Sequence, residues 1–262
     1  MFTEYDTQVD GISIHHKEIG EGKPLLLLHG WGGQADSFAP VALAFADCRR
    51  VYSIDFPGFG KSDLPSTGWN VTDYMHCLVK WMKIQKLSGC DIIAHSFGCR
   101  VSLLMAATHP EMVGRLVLTG AAGLIPKRSA KYYVKVYSYK AMKWMAGKSG
   151  LKKLLKSCGL DLTEKIRARA GSSDYRALPE AMRATFVKVV NQDLKGYLKD
   201  VKASTLLIFG DHDTDTPLYM GQIMEKEIPD AGLVVFEGAG HFAYLERGAE
   251  FARIARVFLE GA

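Results

Sequence analysis

The chain of 262 residues reads as an α/β fold, with a mostly parallel central sheet, helices on both faces and an inserted helical cap. Three observations carry this reading. Short apolar runs recur along the chain, each closed by Gly, Asp or Ser. Helical stretches alternate with them. The alternation then fails once, between Ala122 and about Asp200, where no convincing strand is found.

Gln8 to Ile19 is expected to form a β-hairpin turning at Asp10-Gly11, with Ile12 and Ile14 alternating. The runs Pro24–Leu28, Val51–Ile54, Asp91–Ala94, Arg115–Leu118, Thr205–Phe209 and Leu233–Phe236 suit strands buried on both faces. Helices are expected at Ser37–Ala46, Val71–Leu87 and Phe97–Thr108, the last stopping before Pro110, and at Pro217–Ile228 and Arg247–Leu259. Residues 1–122 and 201–262 would form the core. Residues 123–200 would form the insertion, with helices at Lys131–Ala146, Leu151–Ser157, Leu162–Ala170 and Pro179–Asn191.

An apolar fraction of 48% and a mean hydropathy near zero fit a globular enzyme with a full core. No run is long enough to span a membrane. The N-terminus MFTEYDTQVDG has no basic segment leading into an apolar one, so no secretory signal is read and a cytoplasmic protein is expected. The five cysteines, Cys48, Cys77, Cys90, Cys99 and Cys158, form no C-x-x-C and read as thiols in a reducing compartment. The net charge of +5 is local in origin. Ten Lys and Arg and no acid lie in Lys127–Lys156, which leaves the rest of the chain net acidic. That segment reads as a solvated cap face, as an attractor of an anionic substrate, or as an amphipathic lipid contact with Met142, Trp144 and Met145 on its apolar side. Membrane contact is the least favoured of the three. Nucleic-acid binding is not expected, since no motif accompanies the charge.

CDIIAHSFGCRVSLLMAATHP reads as a buried strand, a tight turn and a helix, with Ser96 on the turn in Ala94-His95-Ser96-Phe97-Gly98. A serine nucleophile on such a turn needs small residues two places before and after it, where larger side chains would strike the strand and helix. Ala94 stands where glycine is usual but remains small. The bland alternative is that Ser96 merely caps the helix. The helix N-terminus aims unpaired N–H groups at the serine, and the Phe97 N–H is well placed for a developing oxyanion. The strand Leu25–Leu28 ends in His29-Gly30-Trp31-Gly32-Gly33, where Gly30 lets main chain approach a ligand and the Trp31 N–H is the candidate second donor. His29 reads as a brace for this loop.

Of eight histidines, His241 is selected: it follows the run Leu233–Phe236 and the loop Glu237-Gly-Ala-Gly240, which would bring it to the sheet edge that carries Ser96, while His212 sits in the acidic loop after Thr205–Phe209. The acid should also follow a strand end. Asp211, Asp213 and Asp215 compete after Thr205–Phe209. Asp213 is selected, with Asp215 read as the cap of the helix near Pro217. Its task would be to hold the His241 tautomer and stabilise the imidazolium.

Five segments in order, HGWGG at 29–33, DFPGFGKSD at 55–63, AHSFG at 94–98, GDHDTDTP at 210–217 and GAGHF at 238–242, resemble the α/β-hydrolase superfamily, as does the order Ser, Asp, His. The resemblance covers nearly the whole chain outside the insertion. It implies a structural loop of Asp55, Gly58, Gly60 and Ser62 near the site, and a helical cap over Ser96 from residues of about 123–200. A serine rather than an aspartate nucleophile argues against dehalogenase and epoxide hydrolase chemistry. Carboxylic ester hydrolysis of a small molecule ranks first. Carbon–carbon bond hydrolysis of dienoic acids ranks second, because many such enzymes carry a Trp soon after the histidine, where Phe242-Ala-Tyr244-Leu stands here. A slow-turnover ligand sensor is the alternative from a different class. No metal or organic cofactor is implied, and the oligomeric state is left open.

Overall fold

Asp10 and Gly11 both take positive φ, 51° and 81°, as a two-residue type I′ hairpin turn requires. They join β1 (Thr3–Val9) to β2 (Ile12–Ile19), which pair antiparallel from Thr3 with Glu18 to Val9 with Ile12. The computed structural model describes residues 1–65, 68–127, 134, 137–138 and 179–261.

Six further strands complete one sheet: β3 (Lys23–Leu28), β4 (Arg49–Ile54), β5 (Cys90–His95), β6 (Val113–Thr119), β7 (Thr205–Gly210) and β8 (Ala231–Phe236). Their order is β1-β2-β4-β3-β5-β6-β7-β8. β2 meets β4 antiparallel, and every pairing from β4 to β8 is parallel. Every expected strand is present, extended by one or two residues at most of the ends.

The helices are α1 (Ala39–Phe45), α2 (Val71–Ile84), α3 (Phe97–Thr108), α4 (Glu180–Asn191), α5 (Leu218–Glu227), α6 (Ala243–Glu246) and α7 (Gly248–Glu260). α2 begins in a reciprocal cap: the Asp73 N–H donates to Asn70 Oδ1 and the Asn70 N–H to the Asp73 carboxylate. A single 3-10 turn, Ala35–Phe38, takes the start of the first expected helix. Leu25–Leu28 is at most 1% exposed, so β3 is buried on both faces; each leucine contributes on the order of 2 kcal/mol by burial. On one face Phe38, Val41 and Phe45 pack with Phe251, Ala255 and Leu259 in a single apolar cluster.

The opposite edge of the parallel strands is held by charge. Asp91, fully buried at the start of β5, accepts from Arg49 Nη1 at 2.8 Å, Lys23 Nζ at 2.8 Å and the Arg115 N–H at 2.9 Å. Arg49 and Arg115 in turn donate to the carbonyls of Leu259 and Phe258 and so fasten the end of α7 to the sheet.

The chain divides into two compact units, Met1–Ile125 with Val187–Ala262, and Pro126–Phe186. Residues 123–125 and 187–200 therefore lie in the larger unit, where Leu194 and Leu198 are fully buried. The helices expected at Leu151–Ser157 and Leu162–Ala170, all of Lys131–Ala146 but Val134, Tyr137 and Ser138, most of the basic segment Lys127–Lys156, and Cys158 lie outside the described residues. Cys48, Cys77, Cys90 and Cys99 are free thiols. Among the described residues no helix is long and apolar enough to cross a membrane.

Candidate active site

β5 runs directly into α3 with one residue between them. That residue, Ser96, has φ 48° and ψ −103°, a conformation costing a non-glycine residue on the order of 1–3 kcal/mol. Ser96 makes no side-chain cap to α3, so the capping reading of this serine does not hold. Its N–H donates to Thr119 O at 3.2 Å, its carbonyl accepts the Cys99 N–H at 3.1 Å, and its side chain is half-buried at the turn. The turn closes only because its neighbours are small. Ala94 is fully buried, and a Cβ at Gly98 would collide with the Leu28 carbonyl.

The loop after β3 lies against this turn. The Gly98 N–H donates to His29 O at 3.1 Å, and a Cβ on Gly30 would sit 3.4 Å from Ser96 Cβ. His29 braces the loop as the sequence suggests. Its Nδ1–H donates to Gly30 O at 2.7 Å, and its Nε2 accepts the Phe56 N–H at 3.1 Å. Trp31 packs edge-on against Phe59 and Phe97, with ring centres 4.9 and 5.3 Å away. The buried Phe97 ring also meets Phe56 and Tyr74. With Phe59 at 6.1 Å, four aromatic neighbours thus fix residue 97, whose N–H is among those an α-helix leaves without an intrahelical partner.

Asp55 organises the neighbouring loop. Its carboxylate accepts the N–H groups of Ala35 and Lys61 and contacts His15 Nδ1, while its carbonyl accepts the Ser62 hydroxyl. Gly60, at φ 54°, sits so close that any Cβ would strike the Asp55 carboxylate.

Beyond the ends of β7 and β8, Asp213 and His241 meet, with His241 Nδ1 2.8 Å from Asp213 Oδ2. Asp213 is 4% exposed and accepts three further hydrogen bonds: the Asp215 N–H at 2.8 Å, the Thr216 N–H at 2.9 Å and the Thr216 hydroxyl at 2.7 Å. Burial raises its carboxyl pKa, but the His241 and Thr216 bonds outweigh burial and hold it below the usual carboxylate range. Asp211 is exposed, and its carboxylate accepts the Gly238 N–H rather than a bond from His241. Asp215 does not cap α5, whose N-cap position is Pro217. Its N–H is committed to Asp213 and its side chain is exposed.

Ser96 and His241 share one support. Ser96 is bonded to Thr119, and the next residue, Gly120 at φ 51°, abuts the His241 ring, where a Cβ would lie 3.0 Å from Nδ1. The hydrogen bonds of the His241 ring among the described residues are all at Nδ1, leaving Nε2 for a reacting proton. No hydrogen bond joins Ser96 Oγ to His241 among the described residues; catalytic hydrogen bonds are often long without substrate and tighten in its complex. Thr216, Gly120 and His95 were not singled out from the sequence. Only the downward run of donors onto Asp213 marks Thr216, and only the folded proximity marks the other two. Asp213, Asp215 and His241 also lie close enough to share a cation. Asp213 is fully engaged by hydrogen bonds within the protein and the Asp215 carboxylate is exposed, and no metal role is assigned to the three.

The buried histidines set an acid limit on stability. Burial pushes His29 down to about 4 and His95, with help from His241, to about 3, and burial also lowers His16. In the unfolded chain these rings bind protons near pH 6.5. Below that pH the unfolded state gains protons that the native state does not, so stability falls as pH falls. Urea midpoints should be level from pH 8 to 7 and decline from about pH 6.5 to 5, above the range where carboxylates protonate. A midpoint unchanged down to pH 5 would contradict the burial of these rings in neutral form.

Residues 23–248 match the model of a protein family described as the alpha/beta hydrolase fold. The chain is 29% identical to a 2-hydroxymuconate semialdehyde hydrolase of Pseudomonas putida, over 96% of this chain and 92% of the relative. It is 29% identical to a 2-hydroxy-6-oxo-6-phenylhexa-2,4-dienoate hydrolase of Comamonas testosteroni, over 94% and 91% of the two chains. Among solved structures, an esterase from Exiguobacterium antarcticum superposes with a TM-score of 0.74 at 23% identity, covering 97% of each chain. That last likeness is one of fold.

Proposed function

The chain belongs to the alpha/beta hydrolase fold family, and from that membership we propose that it is a serine hydrolase of small carbonyl compounds, carboxylesterase-like in its chemistry. The observation that carries the proposal is the strained Ser96 turn, at φ 48°, set at the same sheet edge as the Asp213–His241 pair.

In the proposed reaction Ser96 Oγ attacks the ester carbonyl carbon while its proton passes to His241 Nε2. The carbonyl oxygen becomes an oxyanion held by the N–H groups of Trp31 and Phe97, beside Gly30. Each such donor is worth about 3 kcal/mol in the transition state. Collapse breaks the bond to the alcohol oxygen, which takes the proton from His241. Water then attacks the acyl-enzyme with His241 again as base, releasing the acid and restoring Ser96. Asp213 stays ionised throughout and stabilises the imidazolium. The machinery requires no metal or organic cofactor.

A second reading is favoured by the curated relatives, whose names describe hydrolysis of dienoic acids and a muconate semialdehyde. The same serine, base and oxyanion donors would then act on a ketone and release a carbon leaving group, protonated before departure. Steady-state rates with short-chain p-nitrophenyl esters and with a 2-hydroxy-6-oxohexa-2,4-dienoate separate the two. Fluorophosphonate labelling mapped to its peptide tests what they share. Labelling at Ser96 with preferred ester turnover is expected. A kcat/KM higher for the dienoate selects the second reading. Labelling without multiple turnover on either substrate, with ligand-induced thermal stabilisation, selects a sensor. Absence of label at Ser96 sinks the nucleophile assignment.

A further inference from the structure

We propose that His95 is a positioning residue that sets the spacing between nucleophile and base, by tying the main chain of His241 to the residue that precedes Ser96. The inference rests on the reading of Ser96 and His241 given above. His95 is the last residue of β5, paired with Thr119 in the sheet, and is 3% exposed. Its Nε2 lies 3.0 Å from the His241 carbonyl. A carbonyl only accepts, so Nε2 carries the proton and donates. Burial first, and the nearby His241 ring second, keep His95 neutral, so one tautomer serves across the working pH range.

The ring is held on its other sides. A Cβ on Gly30 would come within 2.6 Å of His95 Nδ1, so glycine at 30 leaves the room that the imidazole fills. Phe242 and Tyr244 flank the ring at 5.1 and 5.0 Å, and His241 at 4.7 Å. One side chain thereby touches the loop of the proposed oxyanion donors, the nucleophile turn and the loop of the base.

The need for such a tie follows from how the two partners are supported. Ser96 follows a central strand bonded on both sides. His241 follows a surface loop in which Gly238 has φ 74° and whose N–H groups at 238 and 240 rest on the exposed carboxylates of Asp211 and Glu246. Asp213 holds the imidazole of His241 but not its main chain. Through His95, the path from Ser96 to the His241 backbone is one peptide link and one hydrogen bond. A misplacement of 1 Å in a reacting geometry costs on the order of 10²-fold in rate.

His95→Leu removes the donor, whereas His95→Gln places an amide N–H near the Nε2 position. Both are compared with the parent for kcat, KM and urea midpoint. The downfield proton resonance of the His241 Nδ1–H held by Asp213 is recorded for each. We expect His95→Leu to lose about 10²-fold in kcat, with KM unchanged and the resonance broadened or lost. His95→Gln should recover most of the rate and a sharp resonance. If Leu and Gln variants both match the parent, or if both lose the rate equally while the resonance is intact, the tie plays no positioning part. If His95→Leu proves too unstable to assay, a well-folded His95→Gln with parental kcat supports the proposal and one with a depressed kcat overturns it. Absence of turnover in the parent is a failure of the hydrolase reading. The resonance comparison would still decide whether His95 positions His241.

Discussion

Replacing Ser96 by alanine is expected to lower turnover by about 10⁶-fold, with His241→Ala costing a similar factor and the pair together no more than either alone. The non-additivity follows from the proposed chemistry. The serine is inert without a base, and the base has nothing to activate without the serine. Asp213→Asn should cost about 10⁴-fold, because an amide cannot fix the same tautomer or stabilise the imidazolium. The fold gives this prediction a second arm. Ser96 occupies φ 48°, where alanine is strained as serine is and glycine is not. Ser96→Gly should therefore be as inactive as Ser96→Ala yet more stable than the parent, by about 1 kcal/mol. Urea midpoints and turnover on one ester would measure both. An active Ser96→Ala protein, verified by mass, would remove the nucleophile assignment altogether.

The largest expected loss of stability lies at the other end of the same strand. Asp91→Ala would leave Arg49, 5% exposed, with the Leu259 carbonyl alone, and would take an acceptor from Lys23 and from the Arg115 N–H. Breaking a buried pair on one side costs about 3–5 kcal/mol, since the remaining charge stays desolvated. Asp91→Asn keeps an acceptor for Arg115 and should lose less. The exposed pair of Lys80 with Asp10 provides the control; such pairs contribute about 0–1 kcal/mol. Because Asp91 begins β5 and Ser96 follows its end, kcat per folded molecule should be unaffected by Asp91→Asn. A urea midpoint within error of the parent for Asp91→Ala would mean that the buried network contributes nothing.

The two variants divide the strand by purpose. Its start is braced for stability by charges that touch no proposed reacting group. Its finish carries backbone strain at the residue on which the proposed reaction depends. The burial that stabilises the first also neutralises His29 and His95 near the second, which is why acid should act on the protein before its carboxylates begin to protonate.

The local pattern of residues determined the strands, most of the helices and the membership of the candidate site. Short apolar runs such as Leu25–Leu28, closed by turn residues and alternating with helical stretches, suit strands of a sheet covered on both faces, and Asp10-Gly11 accepts the positive φ values its turn needs. Ser96, Asp213 and His241 were legible because each follows a strand, and parallel strands deliver their ends to one edge. Tertiary structure alone decided the rest. Asp215 had the right spacing to cap α5, but its N–H goes to Asp213 and Pro217 takes the cap position. Thr216 and His95 gave no local signal, since a donor is recognised only when its acceptor, remote in sequence, is in place. The same holds for Ser96. Its motif allowed either a helix cap or a nucleophile, and what removed the cap was a backbone conformation imposed by packing between Leu28, Thr119 and Gly98, contacts that no stretch of sequence contains.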